Sequence, residues 1–239
     1  MSTSPAPTPS VLITGCSRGL GLEFVRQLAS RGARVIATCR DPSRAQALNG
    51  LASQHRRQIE VVALDVGSPA AIAALARRLT EQDQSLDWLI NNAGVLPTGE
   101  RFGAIDAGIL SHTISIDAVA PFLLAQALAP LLRCGRAPRI ANISSILGSI
   151  TECDAFRTPS YAIAKAALNM ASVLLARALS PDGVRVVALH PGWVRTDMGG
   201  EGAEIDAHTS VRGLLSVIEG LTEITDGAFL NYRGETVPW

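Results

Sequence analysis

The stretch "VLITGCSRGLG" (residues 11–21) decides the fold. Three of its first four residues are β-branched and all are suited to a buried strand, which then runs into Gly15, Gly19 and Gly21. The following "LEFVRQLAS" (22–30) repeats its apolar residues at helical spacing. Glycines let the backbone turn tightly and approach an anion, and the first N–H groups of a helix have no carbonyl partners of their own. The spacing is GxxxGxG rather than GxGxxG, so the trio by itself is a weak signal, with a tight structural turn as the alternative. Its place after a first strand and before a helix favours a phosphate cradle, with Gly15, Ser17, Arg18, Gly19 and Leu20 as the residues to meet the ligand.

Outward from this unit, short apolar runs alternate with amphipathic segments. The runs are "RVIAT" (34–38), "IEVVAL" (59–64), "DWLIN" (87–91), "RIANIS" (139–144), "VRVVALH" (184–190) and "GAFLN" (227–231). Helical patterns are expected near 19–31, 42–54, 68–82, 106–132, 159–180 and 206–223. The alternation predicts an α/β fold, a doubly wound Rossmann sheet of about seven parallel strands with helices on both faces. Neither a repeat nor a linker breaks it, so residues 10–239 read as a single dinucleotide-binding and catalytic domain behind a disordered leader at 1–9.

Composition narrows the partners. Lys+Arg and Asp+Glu are each 21, and this balance argues against a nucleic acid or an anionic membrane surface. Apolar spans such as 118–132 are short and interrupted by Pro121 and Pro130, so no membrane span is expected. The N-terminal residues lack the charged and apolar regions of a secretion signal, and four scattered cysteines without CxxC spacing suit a reducing, cytoplasmic compartment. The four histidines are equally dispersed, so no metal site is expected.

Cofactor choice can be read from charge. An acid at the end of the second strand suits the ribose 2′-hydroxyl of NAD, but "ATCRD" places Arg40 there, with Arg18 in the glycine turn. Two guanidiniums would grip a 2′-phosphate, which points to NADP(H). The plainer alternative pairs Arg40 with Asp41 and leaves Arg18 solvated.

In "SYAIAKAALN" (160–169) the spacing puts Tyr161 and Lys165 on one helix face. A phenol with a pKa of about 10 is a poor acid or base near neutrality, and a neighbouring ammonium favours its ionised form. A lowered proton affinity at Tyr161 is therefore expected. A solvated surface pair is the bland alternative.

Several motifs now stand in order: "TGCSRGLG" (14–21), "LDV" (64–66), "NNAG" (91–94), "NISS" (142–145), "YAIAK" (161–165) and "HPGWVRTD" (190–197). Together they resemble the short-chain dehydrogenase/reductase family, most closely its C-factor and sniffer-type carbonyl reductases. The resemblance implies NADP(H)-dependent hydride transfer between nicotinamide and a small ketone, aldehyde or alcohol. Tyr161 would be the acid/base, Ser145 the polarising hydroxyl (Ser144 the fallback), and Lys165 the neighbour that also holds the cofactor ribose. Asp65 and Val66 would flank the adenine, Asn91, Ala93 and Gly94 would support the sheet centre and ribose, and Pro191, Val194 and Thr196 would face the carboxamide. Asp117 stands where the family commonly has an asparagine. Three readings stay open: the backbone carbonyl suffices, the carboxylate substitutes with altered pH dependence, or activity is impaired. Asp117 could also pair with Lys165 and hold it charged. Leu96, Leu147, Phe156, Trp193 and Met198 are candidate pocket walls, and Gly199, Gly200 and Gly202 mark a candidate lid. Helices 106–132 and 159–180 would form a homodimer or homotetramer interface. The alternative function is a dinucleotide-binding regulator of the C-factor type with little turnover.

Overall fold

All seven apolar runs become strands of one parallel sheet in the computed structural model, which describes residues 8–239. They are β1 (Ser10–Ile13), β2 (Arg34–Cys39), β3 (Ile59–Ala63), β4 (Trp88–Asn91), β5 (Arg139–Ile143), β6 (Arg185–His190) and β7 (Phe229–Asn231). Their spatial order is β3-β2-β1-β4-β5-β6-β7. Val11 lies beside Val35 of β2 on one side and Trp88 of β4 on the other. Successive side chains of a strand face opposite ways, and the core divides accordingly. Val11, Ile13, Val35 and Val187 pack with Phe24, Leu28 and Leu214 on one face. Leu12, Ile36, Leu89, Ile140 and Val186 pack with Leu124, Leu128 and Leu175 on the other. Burial on both faces is why the strands read as continuous apolar runs rather than alternating ones.

The helices are α1 (Gly19–Ser30), α2 (Gln46–Gln54), α3 (Pro69–Glu81), α4 (Ala107–Ile114), α5 (Ala120–Arg133), α6 (Pro159–Leu179) and α7 (Ala207–Glu219). Helix α1 packs on α2 and α7, whereas α3, α4, α5 and α6 pack among themselves. The pattern expected at 42–54 divides, because Asp41 accepts the Ser43 N–H at 3.0 Å and closes a separate turn over Pro42–Arg44 before α2 starts. The chain crosses back after β3 to place β4 against the other side of β1, and a crevice opens where the strand order reverses.

Two expectations are corrected. Pro121 does not interrupt its helix. It can neither donate to the Asp117 carbonyl four residues back nor avoid crowding it, and the helix absorbs this in one widened π turn, Ser115–Val119. The helix therefore runs from Ala107 to Arg133. This span and Pro159–Asp182 are each long and apolar enough to cross a bilayer by length and composition, and both lay part of their surface on the sheet. The expected leader is also shorter at its inner end. Thr8 and Pro9 are tied down, their carbonyls accepting from Arg136 (3.1 Å) and Arg34 (3.0 Å), while residues 1–7 lie outside the described residues.

Candidate active site

The glycine turn is built by close approach. A Cβ on Gly15, whose φ is +72°, would stand 2.8 Å from the Ala93 Cα, and one on Gly21 would stand 2.3 Å from the Gly15 carbonyl oxygen. Thr14 locks the neighbouring "NNAG" turn, its Oγ1 accepting the N–H groups of Asn92 and Ala93 at 3.0 Å each. Helix α1 then starts after Arg18, with no side-chain cap and no acid in its first turn. Unpaired N–H groups and the positive helix end thus sit at one end of a cavity of about 690 Å³. Its surroundings suit a phosphate.

Gly15, Ser17, Arg18, Gly19, Leu20, Arg40, Asp65, Val66, Ala93, Gly94, Tyr161, Lys165, Pro191 and Thr196 all line this cavity. Four expected members do not: Asn91, Asp117, Ser145 and Val194, whereas Ser144 does. Asn91 is buried inside the sheet, where its amide donates to Asn142 Oδ1 at 2.8 Å, and it is Asn92 that reaches the wall. Val194 is buried behind the wall, bridged to Ile205. Arg40 is exposed at the cavity, and Asp41 is turned away to cap its own turn. Arg18, by contrast, meets Asp197 at 3.1 Å with both side chains largely in solvent, so it is less available than Arg40. Of the expected walls, Leu96 and Met198 line the cavity, whereas Leu147, Phe156 and Trp193 do not. The glycine-rich segment is stapled, with Trp193 Nε1 donating to the Gly199 carbonyl at 2.8 Å and Arg195 N to the Ile205 carbonyl at 2.8 Å.

Deep in the cavity, Tyr161 and Lys165 are both buried, with Lys165 Nζ 5.3 Å from the centre of the tyrosine ring. Lys165 donates to the Ile143 carbonyl at 2.9 Å and faces Asp117 Oδ2 at 3.2 Å. Asp117 is fully enclosed, and its Oδ1 accepts the Val95 N–H at 2.8 Å. Burial is the largest influence and opposes the lysine's charge, but Asp117 and Tyr161 together outweigh it and hold Lys165 above its ordinary value. Asp117 itself is pushed up, because its burial outweighs the pull of Lys165. The two serines differ in what their hydroxyls meet. Ser144 is buried and spends its hydroxyl on Asn169 Oδ1 at 2.6 Å, whereas the Ser145 hydroxyl accepts the Leu147 N–H at 3.2 Å and lies near enough to Tyr161 to lower its proton affinity.

The direction expected for Tyr161 is reversed. Burial is the largest influence and raises its proton affinity. Lys165 and Ser145 pull it down, and Asp117 pushes it up again. The sequence shows the ammonium one turn away and offers Asp117 as its partner, but not the depth of the ring. The phenol is held protonated, as a donor.

One contributor went unread in the sequence. His190, at the end of β6, accepts the Ile146 N–H through Nδ1 at 3.2 Å and so fixes the turn that begins at Ser145. Burial lowers its pKa to about 4, which keeps the ring neutral and able to accept.

Residues 9–205 match the short chain dehydrogenase family. C-signal of Myxococcus xanthus is 42% identical over 154 residues, spanning 64% of this chain and 93% of that protein. The carbonyl reductase Sniffer of D. melanogaster superposes with a TM-score of 0.91 at 36% identity, covering 98% of this chain and all of that one. The NADPH-bound carbonyl reductase from chicken fatty liver gives 0.91 at 38% identity with the same coverage. Sequence match and superposition agree: the chain is a member of the short-chain dehydrogenase family and has its parallel Rossmann-type fold.

Proposed function

We propose that this protein is an NADP(H)-dependent carbonyl reductase acting on a small ketone or aldehyde. One observation carries the reading: a single cavity joins the glycine turn and Arg40 at one end to buried Tyr161 and Lys165 at the other. The cofactor, when bound, supplies the hydride. Gly15, Ser17, Gly19 and Leu20 would hold its phosphates, Arg40 its 2′-phosphate, Asp65 and Val66 its adenine, and Lys165 its ribose. Tyr161 gives its proton to the carbonyl oxygen, Ser145 donates a hydrogen bond to the same oxygen, and the phenolate left behind is stabilised by the Lys165 ammonium. Buried residues around the reacting end exclude water. Four free thiols accord with a cytoplasmic setting, and the exposed apolar residues Val119 in the π turn and Ile163, Met170 and Leu174 on α6 support assembly through these two helices.

The direct test mixes protein, NADPH and a panel of ketones and aldehydes while nicotinamide absorbance is followed. Loss of absorbance that depends on the carbonyl supports the reading. Binding of NADPH without turnover of any of them would instead favour a dinucleotide-binding regulator, the reading that similarity to C-signal supports.

Two substitutions probe the roles of single charges. Arg40→Ala is expected to weaken NADPH about tenfold, the share of a charge-assisted contact, and to leave NADH unchanged. Fluorescence titration with each nucleotide checks this, and an NADPH preference that survives removal of both Arg40 and Arg18 would count against it. Asp117→Asn is expected to preserve or raise turnover. Because Asp117 raises the proton affinity of Tyr161, its removal lowers it. Alcohol oxidation needs the phenolate, so its rising pH limb should move to lower pH. A limb displaced to higher pH would contradict the sign, and complete loss of activity would give the carboxylate an essential role of its own.

A further inference from the structure

The rim of the cavity carries a contact that the chemistry above leaves unused. Helix α6 follows Thr158, a β-branched residue held at φ +41° in the left-handed region, where such residues are rarely found. Thr158 does not cap the helix, and its hydroxyl is buried without a hydrogen-bond partner. The cap arrives from 60 residues away. Glu100 Oε2 accepts the Ser160 N–H at 3.2 Å, and Oε1 accepts the Ser160 hydroxyl. Ser160 is completely buried and immediately precedes Tyr161.

Glu100 lies in the connection between β4 and α4, between Gly99 (φ +79°) and Gly103 (φ +86°). It is partly buried, whereas Gly99, Arg101, Phe102 and Gly103 around it are exposed. Beside it Phe102 meets Phe156 edge-on, ring centres 5.6 Å apart, joining this loop to the segment that leads into α6. Nearer β4, the same loop gives Val95, Leu96 and Thr98 to the cavity wall. A carboxylate at a helix start is favoured by the orphan N–H groups and the positive helix end, so this contact has a reason to persist.

We propose that Glu100 is a positioning residue that supplies the cap Thr158 does not, latching the loop over residues 95–103 to the helix that carries Tyr161. The loop wall is thereby held at the substrate end of the cavity. The kinetic part rests on the carbonyl-reductase reading; the latch itself does not.

The experiment compares wild type, Glu100→Ala and Glu100→Gln, each saturated with NADPH. Trypsin cleaves after Arg101, which is exposed beside the latch, so the rate of cleavage there reports loop release without any turnover. In Glu100→Ala this rate and the KM for the best carbonyl are each expected to rise about tenfold, the fold-change of a lost helix cap. kcat should fall much less, since later turns of α6 still bury Tyr161 and Lys165, and the NADPH Kd should not move. Glu100→Gln keeps one accepting oxygen and should fall between the two, and it replaces the alanine variant as the deciding one if that fails to fold. Unchanged cleavage after Arg101 overturns the latch. Faster cleavage with unaltered KM overturns its role at the substrate end. If wild type turns over no carbonyl, cleavage alone decides the latch, and the functional reading fails separately.

Discussion

Turnover of the Tyr161→Phe protein is expected to fall about a thousandfold, the contribution of a positioned general acid, while NADPH binding and melting temperature stay near wild type. The substitution removes a single oxygen from a ring that is already buried. No charge is lost, and the aromatic face 5.3 Å from Lys165 Nζ is kept. Ser145 still accepts the Leu147 N–H at 3.2 Å, so its turn should hold. The effect therefore belongs to proton delivery rather than to folding. Pre-steady-state mixing with NADPH and a carbonyl would separate binding from chemistry. Ser145→Ala should cost less than Tyr161→Phe, because it removes a stabilising donor and leaves the proton source. Full turnover by the phenylalanine variant would mean that solvent supplies the proton, and Tyr161 would lose its place in the mechanism.

How much of this was legible in the sequence varies with the range of the interaction. Strands, glycine turn and the Tyr161–Lys165 spacing are local, and periodicity or i,i+4 geometry exposes them. The split at 42–54 was also local, but it turned on one Asx cap at Asp41 that an apolar count passes over. The roles of Asn91 and Asn92 could not be told apart, because one is drawn into the sheet by Asn142 on the neighbouring strand. Val194 is likewise buried and bridged to Ile205, a pairing that periodicity does not reveal. The direction of the Tyr161 shift needed three elements at once: the depth of α6, the π turn that carries Asp117, and the β5 end that carries Ser145. Glu100 carries no motif at all, and only the fold brings it to Ser160.

The reversed sign at Tyr161 makes the buried ion pair behind it the other place where a single substitution should act strongly. Lys165→Met should abolish turnover and destabilise the fold by about 3–5 kcal/mol, read from the urea midpoint, because it leaves a carboxylate buried without its cation. The two partners are not equivalent. Lys165 lines the cavity and keeps the Ile143 carbonyl as a partner. Asp117 is fully enclosed and would keep only the Val95 N–H. Asp117→Asn should consequently cost much less stability than Lys165→Met, and the double variant should recover most of the stability without any of the activity. That pattern separates the two functions of the lysine, since only the structural one can be repaired by neutralising its neighbour. If Lys165→Met cost no more than Asp117→Asn, or if the double variant were the least stable of the three, the pair would not be ionic in the folded protein. The upward push of Asp117 on Tyr161 would then lose its source.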